Sequence, residues 1–371
     1  MNHDAFEKKL GFGLMRLPAV EGKIHIPTVC QMVDAYLAQG FTYFDTAYVY
    51  EGSEDAFRQA VAERYPRSQY TVADKMAGWL LGDALTPQDM FSQQLARCGV
   101  EYFDFYLLHS LQPSRMAFYD NNDCWNFCQQ KKREGRIRQF GFSFHGAPDL
   151  LEHILTQHPE VDFVQLQINY VDWDDKAIWA GDNYRVCRKF QKPIVVMEPV
   201  KGGILANLSE QNQSLYRSLH SPSSPASYAL RFAATLEGVS MVLSGMSSQE
   251  QMRENLHTFS PLVPLSIEEK NIMNQVKHNL LSAPAVPCTS CGYCVPGCPK
   301  HIQIPQILQS YNMIQIFGEH LRPHLYYDGI LASGSERASC CIGCGRCEQS
   351  CPQHLPIIEH LANAAKLLDH Q

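Results

Sequence analysis

The sequence predicts an α/β chain of two parts, a closed (β/α)8 barrel over residues 1–282 and a small, mainly α-helical, cysteine-rich domain over residues 283–371. Three observations carry this. From about residue 30 to 258, apolar strand-like runs alternate with segments of helical periodicity, the pattern of successive βα units around a parallel sheet. No Gly-x-Gly-x-x-Gly opens a helix after the first strand, as an open doubly wound sheet would normally show; "GFGLMRLP" has two glycines and no third in place. Nine of the fourteen cysteines fall between Cys288 and Cys351, behind the proline-rich "SPLVPLSIEEK" and "SAPAVP", which mark the boundary near residue 282.

Taken in order, the strand candidates are "LGFGLMRL", "FTYFDTA", "QYTVADK", "FDFYLLH", "RQFGFSF", "DFVQLQI", "PIVVMEP" and "VSMVLSG". Helix candidates lie between them, among them "TVCQMVDAYLAQG", "TPQDMFSQQLARCGV", "APDLLEHILTQH", "SPASYALRFAATLEG" and "SSQEQMRENLH". Several open on Ser, Thr or Pro and several end at Gly, as helix termini tend to. Eight strands with eight helices predict a TIM-type barrel, in which chemistry belongs to the C-terminal ends of the strands. Those ends read Asp45, Lys75, His109, Ser143, Gln165, Glu198 and Ser244, a polar and titratable set.

A net charge of -7 with 45% hydrophobic residues describes a mildly acidic soluble protein without the basic stripe that nucleic acid requires. The N-terminus lacks the zones of a signal peptide and no run approaches the length of a membrane span, so the expected location is the cytoplasm. Cytosolic thiols are kept reduced, so clustered cysteines there point to metal ligation over disulfides.

The ligand pattern is explicit. Cys288, Cys291, Cys294 and Cys298 precede Pro299, and Cys341, Cys344, Cys347 and Cys351 precede Pro352; both runs match C-x2-C-x2-C-x3-C-P. Three cysteines at i, i+3 and i+6 hold three corners of an iron–sulfur cubane, and a fourth ligand comes from elsewhere. In two-cluster ferredoxins the fourth cysteine of each run serves the other cluster. On that pattern Cys288, Cys291, Cys294 and Cys351 hold one [4Fe-4S] cluster, and Cys341, Cys344, Cys347 and Cys298 hold the other, leaving Cys340 spare. Zinc wants four ligands from two C-x2-C pairs and leaves the second half of each run unexplained. The insert between the motifs, with its helix-like "IPQILQSYNMIQIFGEHL", resembles the helical ferredoxin modules of respiratory dehydrogenase subunits.

In the barrel, "FDTAYVYEGSE" puts Asp45 at one strand end with Tyr50 in the following loop, while "VADK" and "YLLH" place Lys75 and His109 at the next two ends. Together they form an acid–base constellation. "GFGLMRLP", "FDTAYVYEGSE", "DFYLLHS", "GRIRQFGFSF" and "GMSSQEQMREN" resemble the aldo-keto reductases along nearly the whole barrel. The resemblance implies NAD(P)H-dependent reduction of a small carbonyl compound with Asp45, Tyr50, Lys75 and His109 as the catalytic tetrad. A carbonyl that accepts hydride becomes an alkoxide needing a proton and charge stabilisation. Tyr50 would donate that proton, its pKa lowered by the ammonium of Lys75; Asp45 would hold Lys75, and His109 would orient the substrate oxygen.

The same resemblance implies that Ser143 and Gln165 hold the nicotinamide carboxamide, although the family's usual Asn after the serine is Phe144 here. Met197 stands where many members stack an aromatic ring. Glu198, Ser244 and Gly245 complete the cofactor side of the mouth, and Glu254 and Asn255 match residues that hold the adenine end. Gly245 and Gln251 occupy positions where many relatives place Lys and Arg for the 2'-phosphate, with Arg253 nearby, so both NADPH and NADH remain open with a lean to NADPH. Trp79, His145, Trp173 and Trp179 are candidates to line a substrate pocket.

Nicotinamide gives two electrons as hydride while each cubane accepts one, and the sequence shows no flavin motif to split the pair. Three readings follow: a carbonyl reductase whose clusters form a structural redox module or a port for a redox protein partner; an electron-transfer reductase whose clusters feed a barrel-bound substrate; or a non-catalytic redox sensor. The first is preferred.

Overall fold

The computed structural model describes residues 8–175, 178–221, 223–282, 285–286, 288, 294–318, 321–351 and 355–369. The chain forms two compact units, one of Met1–Ala206 with Pro222–Glu269 and one of Asn207–Ser221 with Lys270–Gln371.

In the first unit eight parallel strands close into a barrel: β1 Leu10–Gly13, β2 Tyr43–Asp45, β3 Thr71–Met76, β4 Phe103–Leu111, β5 Ile137–Phe144, β6 Phe163–Gln167, β7 Ile194–Met197 and β8 Val239–Ser244. Each pairs with its sequence neighbours, and β1 closes the ring by pairing with β8 at Phe12↔Ser244 and with β2 at Gly13↔Asp45. The first run, "LGFGLMRL", is extended only to Gly13 and then tightens into a 3-10 turn at Leu14–Arg16. A two-stranded hairpin, Ala19–Val20 with Lys23–Ile24, follows it.

Alternation along each strand sorts the two faces. Tyr43, Ala73, Phe105, Leu107, Phe163, Val195, Met241 and Leu243 form one apolar cluster, the filling of the barrel. Gly11 belongs to that packing: a Cβ there would sit 2.7 Å from Leu243 Cδ2. The alternate residues, such as Phe44, Val72, Tyr106, Val164 and Val242, pack outward in a larger cluster with the helices. The step of two that puts Tyr43, Ala73 and Phe163 inside also puts Asp45, Lys75 and Gln165 on the inner face at the strands' C-terminal ends.

The surrounding helices are α1 Ile26–Ala38, α2 Ser53–Phe57, α3 Pro87–Cys98, α4 Met116–Asn121, α5 Cys124–Arg133, α6 Pro148–Gln157, α7 Ala180–Lys189, α9 Pro225–Ala234 and α10 Gln249–Thr258. Caps read from sequence are present: Thr86 and Asp89 close a reciprocal box at α3, and Ser224 and Ser248 accept backbone N–H bonds at α9 and α10. Helix α4 is an addition, one short helix between β4 and the helix foreseen at "WNFCQQKKREG".

The second unit contains α8 Glu210–Arg217, all but the first turn of α11 Ile267–Leu281, α12 Ile304–Phe317, α13 Leu321–Ala332, α14 Arg346–Gln349 and α15 Ile357–Leu368. Asn279 Nδ2 donates to Asn212 Oδ1 at 2.9 Å, joining α11 to α8. Ile304, Ile307, Leu308, Tyr327, Ile330, Leu361 and Leu368 make the helical core. Tyr327 links three segments: its hydroxyl bonds Asp369 and accepts the Ala338 N–H at 2.7 Å, while Asp369 also accepts Ser339 N–H at 2.9 Å. This fixes the segment leading into the second cysteine run. Among the described residues no helix is long and apolar enough to cross a membrane.

Candidate active site and cysteine centre

At the mouth of the barrel, Lys75 is fully buried and donates to Asp45 Oδ1 and to the Thr46 carbonyl, each at 2.6 Å. Burial works to lower the Lys75 pKa, but Asp45 and then Tyr50 outweigh it and hold the ammonium above its ordinary value. Burial lifts the Asp45 carboxyl, with Lys75 restraining the rise. The pair is an ion pair shut away from water.

Tyr50 sits in the loop between β2 and α2, its ring centroid 5.0 Å from Lys75 Nζ. Burial raises the phenol above its usual range; Lys75 pulls it down, and the Asp45 and Glu198 carboxylates push it up. From the sequence alone, the Lys75 ammonium is expected to lower the Tyr50 pKa. Desolvation wins, so Tyr50 holds its proton throughout the neutral range.

The His109 ring lies 5.8 Å from that of Tyr50 at 86°. Burial, followed by Lys75, His145 and Arg115, pushes its pKa well below the ordinary value, so the imidazole is neutral. Its Nδ1 is enclosed without a hydrogen-bond partner. The predicted tetrad is thus one cluster with a protonated phenol, a neutral imidazole and a paired ammonium.

Two positioning features escape the sequence. Tyr119 on α4 donates to the His109 carbonyl at 2.5 Å, lies 3.2 Å from the Met76 carbonyl and accepts the Gly78 N–H at 3.1 Å, so it ties β4 to the end of β3 and the loop that follows it. A Cβ at Gly78 would stand 2.4 Å from the Tyr119 ring, so only glycine allows that approach. On the face of β3 opposite Lys75, ligand atoms of Glu54, Asp74 and Cys98 lie within 4.8 Å of one another, all buried. Asp74 is pushed well above its usual range by burial and then by the neighbouring Glu54, while the Lys75 N–H and charge oppose the rise. Glu54 and Asp74 lie inside the quoted runs "FDTAYVYEGSE" and "VADK", but only the fold brings them together with Cys98.

On the expected cofactor side, Ser143 and Gln165 are register partners on β5 and β6. Ser143 Oγ accepts the Ser110 N–H at 2.6 Å. Gln165 Nε2 meets Met197 Sδ at 3.5 Å, and its Oε1 is enclosed with no partner. An orphaned amide oxygen there fits a ligand that brings an N–H, as a carboxamide does. Glu198 adopts a left-handed φ of 56° and pairs with Arg16 at 3.6 Å. Asn255 Nδ2 donates to Ser244 Oγ at 2.9 Å, beside Gly245, while Glu254 Oε1 is enclosed without a partner. Of the aromatic candidates, Trp79 meets His109 at 5.5 Å, but Trp173 packs on Tyr184 and Phe232, and Trp179 caps α7.

In the helical unit, Cys298 from the first run and Cys341, Cys344 and Cys347 from the second line one small cavity, walled by apolar side chains such as Ile304 and Leu361. Gly343 and Gly345, which flank Cys344, take left-handed φ angles of 68° and 76°, a path that glycine permits. Four thiols on one apolar cavity are a soft donor set that fits an iron–sulfur cubane. Of the other predicted set, Cys294 and Cys351 are buried in the helical core and Cys288 packs against it, while Cys291 lies outside the described residues. The spare Cys340 donates to Glu336 at 3.4 Å.

Residues 9–278 match the family model described as "Aldo/keto reductase family", and residues 287–356 match that of a "4Fe-4S dicluster domain". An "Aldo-keto reductase" of Mycobacterium sp. (strain MCS) is 32% identical over 253 residues, covering 67% of this chain and 81% of that protein. One from Mycolicibacterium vanbaalenii is 26% identical over 262 residues, 70% of this chain and 85% of that protein. Among solved structures, an aldo-keto reductase from Klebsiella pneumoniae in complex with NADPH matches with a TM-score of 0.58 at 19% identity, covering 72% of this chain and 90% of that one; this shows likeness of fold.

Proposed function

The chain belongs to the aldo/keto reductase family and carries a C-terminal 4Fe-4S dicluster domain, and from that premise we propose that it reduces an aldehyde or ketone with NADPH or NADH, Tyr50 acting as general acid. The observation that carries this reading is the fully buried Lys75, held 2.6 Å from Asp45 and 5.0 Å from the Tyr50 ring, with neutral His109 alongside.

A bound nicotinamide supplies hydride to the carbonyl carbon. The protein's own part is the proton and the charge. Tyr50, kept protonated by burial, releases its proton to the carbonyl oxygen as negative charge gathers there, and the phenolate left behind is stabilised by the Lys75 ammonium. Asp45 keeps Lys75 charged. His109 directs the oxygen with a neutral N–H donor, a role that its depressed pKa suits. Gln165 Oε1 and Ser143 would hold the carboxamide of the cofactor, Met197 and Glu198 the edge of its ring, and Ser244, Gly245, Glu254 and Asn255 the adenine end. Residues 1–282 would act as the reductase and residues 283–371 as a module of two [4Fe-4S] clusters, a redox-sensitive structural element or a port to a protein partner in the cytoplasm.

Two [4Fe-4S] clusters have the cysteines assigned above as ligands; the cavity that unites Cys298 with Cys341, Cys344 and Cys347 supports the crossed arrangement. The reading is tested by purifying the protein without air and following oxidation of NADPH and NADH with a panel of aldehydes and ketones. Turnover that depends on nicotinamide supports it. Turnover that ignores nicotinamide and needs a reduced ferredoxin overturns it.

A further inference from the structure

Arg115 ends the 3-10 turn that follows β4, and its guanidinium lies 3.8 Å from the centroid of the Trp79 ring. Trp79 in turn meets the His109 ring at 5.5 Å, so one indole touches both the tetrad and a cation. The titratable neighbours acting on His109, namely Lys75, His145 and Arg115, are all basic. Lys75 is already neutralised by Asp45. Arg115 is not: among the described residues no carboxylate pairs with its side chain, whereas Arg16, Arg67, Arg97 and Arg231 each face one. It is half-buried, with one face of its planar group covered by the indole and its N–H edges left to find an acceptor.

Position excludes the cofactor's adenine end as that acceptor. Around the ring, β4 stands four strands from β8 in either direction, and β8 leads to Ser244, Gly245, Glu254 and Asn255. Arg115 is on the opposite side of the ring, beside the loop that carries Trp79 and the end of β4 that carries His109.

Resting on the carbonyl-reductase reading, we infer that the substrate is an anionic carbonyl compound, a short oxo acid or phosphorylated aldehyde, whose charged oxygens pair with Arg115 while its carbonyl faces Tyr50 and His109. Because Trp79 contacts both Arg115 and His109, the anionic group stands a few carbons from the carbonyl, with the apolar linker lying on the indole. A charge-assisted, two-point bond from a guanidinium to a carboxylate or phosphate favours the anion over a neutral analogue by about 10- to 100-fold.

The test compares kcat/KM on 4-oxobutanoate, glyoxylate, a phosphorylated aldehyde of similar length and neutral butanal, in the parent, Arg115→Gln and Arg115→Lys, all full-length and prepared without air. The parent should prefer 4-oxobutanoate or the phosphorylated aldehyde to butanal by about 10- to 100-fold, and either to glyoxylate; which of the two leads identifies the anion. Arg115→Gln should collapse that preference mainly through KM, and Arg115→Lys should restore part of it, since the charge survives without the fork. A parent without preference for the anion, or a preference that survives in Arg115→Gln, overturns the inference. A parent that turns over none of them breaks the reductase reading. In that case calorimetric binding of butanoate and of butyl phosphate to the parent decides the site: at least tenfold weaker binding in Arg115→Gln upholds it, and equal or absent binding ends it.

Discussion

Lys75 Nζ and Asp45 Oδ1 lie 2.6 Å apart with both side chains sealed from water, one of them fully so. An ammonium in that position survives only with its partner, because removing one member of a buried pair leaves an uncompensated charge. Asp45→Asn should therefore lose about 3–5 kcal/mol of unfolding free energy, measured by denaturant titration, and the double variant Asp45→Asn, Lys75→Met should regain part of it. The pH sign follows from the raised Lys75 pKa. Its contribution to stability is complete below the unfolded value of about 10.4 and is lost only as pH climbs through the higher folded value.

Asp74 behaves in the opposite sense. Burial and then the neighbouring Glu54 raise its carboxyl pKa, with Lys75 opposing, while Arg97 donates to Glu54 Oε2 at 3.0 Å. A raised folded pKa means that the native state keeps a proton the unfolded chain gives up. The stability it contributes is greatest below about pH 3.9 and is lost as pH rises toward the folded value. Asp74→Asn keeps an oxygen for the Lys75 N–H and places N–H donors beside Glu54. It should raise Tm more at pH 8 than at pH 5, by about 2–4 °C for each kcal/mol gained. An equal change at both pH values would contradict a raised Asp74 pKa.

Gly78 and Tyr119 set the height of the loop under His109. Gly78→Ala puts a methyl 2.4 Å from the Tyr119 ring, and the tyrosine must shift from the His109 carbonyl. The expected result is a fall in kcat/KM of about tenfold or more for carbonyl reduction, since a displacement of about 1 Å near a reacting centre carries that kind of cost. Tyr119→Phe, which keeps the ring and loses only the hydroxyl, should destabilise by about 1–3 kcal/mol through the buried Gly78 N–H it leaves unpaired.

Cys298→Ser and Cys340→Ser separate ligand from bystander. Cys298 lines the cavity with Cys341, Cys344 and Cys347, whereas Cys340 turns to Glu336. Iron and acid-labile sulfide, measured on protein kept from air, should fall in Cys298→Ser and match the parent in Cys340→Ser. Equal iron content in all three would remove Cys298 from the ligand set.

Much of this molecule was legible in its residues. The barrel announced itself because parallel strands buried on both faces must read as apolar runs, and "VADK" and "YLLH" placed Lys75 and His109 at strand ends. Tyr50 and Asp45 came from a local motif in which spacing fixes geometry. What stayed hidden depends on contacts between distant segments. Tyr119 reaches His109 from a helix that no periodicity foretold, and Arg115 earns notice only because Trp79 stands beneath it. The sign of the Tyr50 shift was misjudged for a related reason: a charge such as Lys75 can be read from sequence, but the degree of enclosure that outweighs it cannot.

The central claim is that the Tyr50 phenol provides the proton for carbonyl reduction, independently of the cysteine centre. Its most direct test is the rate of NADPH-dependent aldehyde reduction in the parent, Tyr50→Phe and Cys341→Ser, all prepared without air and with intact folding. The account predicts that Tyr50→Phe loses about 10²- to 10⁴-fold in kcat while Cys341→Ser stays within a few-fold of the parent. A Tyr50→Phe protein that reduces the aldehyde at the parental rate would contradict it.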